Sequence, residues 1–130
     1  MQFVFPHCRV IVDEESRYVE SRMDDGSKVG ATPNDDEASL RTAEELGYGT
    51  DTWAMTRDHE LSHAWLAHLD GRPWSPTMWR LAHPDSSDVA GDTEVAEEEA
   101  RVLAFQRSLD KTAPPPWEIS TLIRRLPLPW

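Results

Sequence analysis

Residues 59–63 read His-Glu-Leu-Ser-His. Two histidines four apart on a helix lie one turn apart on one face, so His59 and His63 can aim a nitrogen each at one point. Neutral imidazole is a good zinc ligand, and a catalytic zinc site takes three protein ligands and keeps one position for water. Glu60 follows one residue later, about 100° around the helix. It flanks the ion instead of ligating it, which is the place for a general base acting on water. The chemistry within reach is metal-assisted hydrolysis, with zinc as the expected ion.

The pattern has meaning only on a helix. Residues 52–70 contain no Pro or Gly, Asp51 is a natural N-cap, and Gly71 followed by Pro73 ends the run. With His59 as zero, Thr52, Thr56, His63 and Leu66 fall within about 60° of it. Ala54, Leu61, Trp65 and Leu69 gather near 200–280° on the same arithmetic. A metal face therefore lies beside a core face.

The third ligand must come from elsewhere. His68 sits about 140° from His63 and 180° from His59, so it points away. Positions 66 and 69 are both Leu, so the longer HExxHxxGxxH pattern is absent. An acidic residue on a later helix is left, and Glu97-Glu98-Glu99 opens the helix expected over 93–110. Such carboxylates also suit a helix N-terminus simply as solvated charges.

His59-Glu60-Leu61-Ser62-His63, followed by Glu97-Glu98-Glu99-Ala100-Arg101-Val102-Leu103-Ala104, resembles the small gluzincin-type zinc metallopeptidases of the ImmA/IrrE kind. Those carry HExxH on one helix and a zinc-binding Glu on a later one, in an E-x-x-A-x-x-[FL]-A setting. The resemblance implies a zincin-like fold with Glu97 as third ligand, and Ala100, Leu103 and Ala104 packing that helix against the first. Glu98 stays open as an alternative, since one residue turns a side chain by about 100°. Arg101 stands where that family usually has Asn or Asp, and no helix-turn-helix accompanies the domain. A peptide or protein is the implied substrate. Two further residues have possible roles. Tyr48 could donate to a developing oxyanion or fill the core rim, and His83 could polarise a substrate carbonyl or stay solvated. Asp58 and Asp70 read as helix-surface charges, with support of a histidine as the other option.

At 130 residues, 38% of them hydrophobic and six of them Trp, the chain suits one domain with one core. The net charge of −11 argues against direct contact with nucleic-acid backbones or anionic membranes. It also admits a non-enzymatic alternative: an acidic interaction protein, such as a DNA mimic or a phage structural or anti-defence module. A zincin scaffold that binds metal without catalysis is a second alternative. Cys8 stands alone, so no internal disulfide forms, and a reducing compartment fits. No apolar run approaches 18 residues and no signal-peptide pattern appears, so a cytoplasmic protein is expected.

The expected fold class is α+β, a small N-terminal antiparallel sheet packed on about four helices. Residues 1–34 are β-rich, 35–112 helical with the metal site, and 113–130 a Pro-rich tail. Residues 2–12 read as an edge strand or two short strands around Pro6, and 17–23 and 27–32 flank the turn Asp24-Asp25-Gly26. Helices are expected over 37–46, 52–70, 76–83 and 93–110, with a loop over 84–92. Residues 117–125 suggest one or two amphipathic helical turns, and Leu126–Trp130 cannot be helical.

Overall fold

Pro6 cannot donate to a β-ladder, and the N-terminal apolar run breaks around it. In the computed structural model, which describes residues 1–86 and 91–129, β1 (Gln2–Val4) precedes the proline and β2 (Cys8–Asp13) follows it. β3 (Tyr18–Met23) and β4 (Lys28–Ala31) form the expected hairpin. Gly26 turns it with a φ of 90°, a conformation open to glycine because it has no Cβ. One strand was not foreseen. Residues 113–130 are not a mere tail: Trp117 anchors a single helical turn, and β5 (Arg124–Leu126) pairs with β1. The sheet is antiparallel throughout, in the order β4-β3-β2-β1-β5. β1 therefore has a neighbour on each side and is not an edge.

The helices are α1 (Glu37–Glu45), α2 (Thr52–Leu69), α3 (Pro76–Ala82), α4 (Asp92–Ser108) and the single turn α5 (Pro116–Ile119). Asp36, Asp51 and Ser75 cap the first three by accepting from backbone N–H groups of Ser39, Ala54 and Met78. The class is α+β. Residues 87–90, within the loop expected over 84–92, and Trp130 lie outside the described residues.

Strand alternation sets which side chains meet the helices. Phe3, Cys8, Val10, Val12 and Val19 share one face of the sheet and pack with Trp53, Leu61 and Ala64 of α2. Met78, Trp117 and Ile123 complete the core. Trp117 is 1% exposed, and burying a large apolar side chain of this sort is worth about 1.5–3 kcal/mol. That anchor lies just before β5, which returns the chain to the sheet beside β1. Among the described residues, no helix is long and apolar enough to cross a membrane.

Candidate metal centre

Helix α2 lies between the sheet and α4 and is buried on several sides. Thr52, Trp53, Asp58, Leu61, Ser62, His63, Ala64, Leu66 and Ala67 are all buried. His59 and His63 face α4, one turn apart, with Nε2 atoms 3.2 Å from each other. Two imidazoles so placed hold their lone pairs toward one point, and that is unfavourable unless a cation or a proton lies between them.

Which acid joins them follows from the buried face of α4. Val102 and Gln106 are fully buried. Glu99 precedes Gln106 by seven residues, about 20° off its direction, whereas Glu97 is nine residues away and about 180° off. Glu97 is accordingly exposed, and the carboxylate brought to the histidines is that of Glu99. Glu99 Oε2 lies 3.0 Å from His59 Nε2, and Oε1 lies 2.9 Å from His63 Nε2. A tetrahedral ion with bonds of about 2.0–2.1 Å separates its ligand atoms by about 3.3–3.4 Å, so these spacings need widen by only a few tenths of an ångström. His59, His63 and Glu99 form a group that could hold a metal ion. The alanines expected to pack α4 on α2 do not do so. Ala100 and Ala104 are exposed, and Val102 and Gln106 make the contact face.

The Nδ1 atoms on the far side of both rings meet acceptors. His59 Nδ1 is 2.7 Å from Gln106 Oε1, a hydrogen bond that leaves Nε2 as the free ligand atom. His63 Nδ1 is 2.8 Å from Glu98 Oε1. This second contact is a charge contact and not a linear hydrogen bond, because the N–H direction falls off the carboxylate. Glu98 is held from behind by the Thr77 backbone N–H, at 3.2 Å, in the first turn of α3. Glu98 thus supports a histidine instead of joining the ligand group.

Gln106 has no counterpart in the sequence reading. Its Nε2 donates to Met55 O at 3.0 Å and to Tyr48 Oη at 3.3 Å, and Tyr48 donates in turn to Asp58 Oδ2 at 2.9 Å. Asp58 is a buried member of this chain and not a surface charge. The Tyr48 hydroxyl is committed to it. The signal was present in the seven-residue spacing from Glu99 to Gln106, two turns of one helix. Replacing Gln106 with Leu keeps the volume and removes the acceptor. The expected result is a fall in metal affinity of about 10–100-fold, measured by competition with a chelating dye.

Burial opposes a charge on His63, but Glu98, Glu99 and Glu60 outweigh it and raise its pKa to about 10 in the metal-free chain. Burial also works against the Glu99 carboxylate, and the two histidines overcome it, holding that carboxyl below its usual range. The sign of the pH dependence follows. His63 has a folded pKa of about 10 against 6.5 unfolded, so its contribution is complete below pH 6.5 and is lost as pH rises through about 10. In chelator, Tm should therefore fall between these limits. Metal loading, which takes the imidazole unprotonated, should flatten that fall, as read from thermal scans with and without the ion.

His63 is buried, with 2% of its side chain exposed, whereas His59 at 22% and Glu99 at 35% open the centre to solvent on one side. Glu60 is half-buried and near enough for its charge to act on His63. His83 is elsewhere. Its Nδ1 lies 2.9 Å from Trp79 O and its Nε2 2.7 Å from Asp25 Oδ2, with the ring stacked on Trp79. His68 points away from the centre as expected and lies against Phe5 and Trp65. Comparison of the chain with known protein families, curated proteins and solved structures finds no significant match.

Proposed function

We propose that this chain is a zinc-dependent hydrolase of the metallopeptidase type, acting on a peptide or protein. The observation that supports it most is the convergence of His59 Nε2, His63 Nε2 and the Glu99 carboxylate, with Glu60 beside them. Two His and one Glu make a donor set suited to catalytic zinc, with a position left over, whereas structural zinc takes four protein ligands. Among the described residues Glu60 makes no ion pair, so its carboxylate is free to exchange a proton.

When bound, zinc supplies Lewis acidity, polarising a carbonyl oxygen and acidifying water. Glu60 accepts the proton that water gives up on attacking the amide carbon, and delivers it to the leaving amine nitrogen. Gln106 and Glu98 keep the imidazoles turned inward throughout. The HExxH segment, which resembles that of gluzincin-type peptidases of the ImmA/IrrE kind, supports the same reading; the E-x-x-A setting does not carry over, since Glu99 and not Glu97 takes the ligand role.

The test combines elemental analysis of the purified chain with hydrolysis of an unfolded protein and a peptide library. Stoichiometric zinc is expected, with cleavage that stops in chelator and returns when zinc is restored. A chain that takes up no zinc ends the proposal. Stoichiometric zinc with no cleavage reduces it to a metal-binding scaffold.

A further inference from the structure

The sheet face turned away from α2 carries an arrangement the metal centre does not use. The register sets Lys28, Arg22, Arg9, Val4 and Arg124 opposite one another across all five strands. Directly opposed residues share a face. Cys8 and Val10 point into the core, so Arg9 between them points outward with the whole row, and its four cations are exposed. With strands about 4.8 Å apart, the row runs about 19 Å.

Like charges directly opposite one another destabilise a sheet. Here Lys28 faces Arg22 and Arg22 faces Arg9, in a chain whose net charge is −11. Glu20 pairs with Arg22, its charge also acts on Lys28, and it accepts from Tyr18. Arg9, Lys28 and Arg124 make no ion pair among the described residues. Asp13, on an outward position of β2, is engaged by the backbone N–H groups of Glu15 and Ser16.

Two features adjoin the row. The Tyr18 ring lies against Gly30, so closely that a Cβ there would overlap its hydroxyl oxygen. A depression of about 430 Å³ opens beside Val4, Arg9 and Arg22, lined also by Pro6, Met23 and the pair His7–Asp24, whose Nδ1 and Oδ2 are 3.1 Å apart.

We propose that this face binds single-stranded nucleic acid, with phosphates along the cation row and bases over Tyr18 and in the depression. Three of the four cations are Arg, whose planar fork matches phosphate oxygens. A positive track beside an aromatic ring is the combination that holds single strands without sequence preference. A protein partner would need large apolar anchors at the centre of the contact, and the exposed large hydrophobic residue on this face is Leu126. The whole-chain charge repels nucleic acid, and the row is where that repulsion is locally reversed.

The test is fluorescence anisotropy of the full chain with labelled oligothymidylate and oligouridylate at low salt. Saturable binding is expected, with log K falling against log salt at a slope of about −2 to −3, as for three to four phosphate contacts. The double variant Arg9→Glu/Arg124→Glu should bind at least tenfold more weakly. The milder Arg9→Gln/Lys28→Gln serves if that chain does not fold, and should weaken binding in the same direction. Polyglutamate at equal charge concentration should not displace the oligonucleotide. No binding at low salt, or affinity untouched in the variant that folds, overturns the proposal. Polyglutamate binding as tightly as oligonucleotide also overturns it, and identifies an acidic polypeptide as the occupant.

Discussion

Glu60→Gln is expected to lower kcat by about 10²–10⁴-fold while leaving the metal content unchanged. The substitution keeps shape and volume and removes the one property the mechanism requires, a carboxylate that takes and returns a proton. Glu60 lies outside the group formed by His59, His63 and Glu99, so the ion should stay. KM should change little, since the amide presents the same outline to a bound peptide. Elemental analysis and steady-state kinetics on one preparation check both halves. Unchanged kcat would remove Glu60 from the mechanism, and loss of metal would make it a ligand.

The second large effect separates two neighbouring acids. Glu99→Ala should weaken metal binding by more than the roughly 10–100-fold that loss of a supporting residue such as Gln106 costs. Glu97→Ala should leave binding unchanged, because that side chain is exposed and faces away from the histidines. Paired titrations with zinc decide it. A result with the two roles exchanged would restore Glu97 as ligand and require α4 to turn by about 160°.

That contrast shows where reading along the chain stops. The E-x-x-A pattern selects Glu97 because Ala100 follows it by three. The pattern does not say which side of α4 rests on α2. Burial of Val102 and Gln106 does, and once that face is known, one helical rotation singles out Glu99. Asp58 reads first as a surface charge, with support of a histidine as the other option, for a related reason. A charged residue in the middle of a helix is usually solvated; here Arg57 Nε donates to Asp58 Oδ1 and the Tyr48 hydroxyl, from another segment, donates to Oδ2, and together they make its burial tolerable.

The C-terminal strand was hidden for lack of length. Three residues, Arg124–Leu126, followed directly by Pro127, show no periodicity to detect. Their place was set by Trp117 and Ile123 entering the core. The cation row was hidden by distance along the chain. Lys28, Arg22, Arg9 and Arg124 are ordinary surface residues until the register aligns them.

What the amino-acid order determined on its own was local. It placed His59, Glu60 and His63 on one capped helix, placed a hairpin at Asp24-Asp25-Gly26, and carried the α+β class. These depend on the 3.6-residue turn and on backbone preferences that neighbouring residues carry with them. The tertiary structure alone decided which glutamate completes the group, which glutamine steadies His59, and which cations form a line. Each of those depends on how one element is rotated or registered against another, and packing of distant side chains sets that relation.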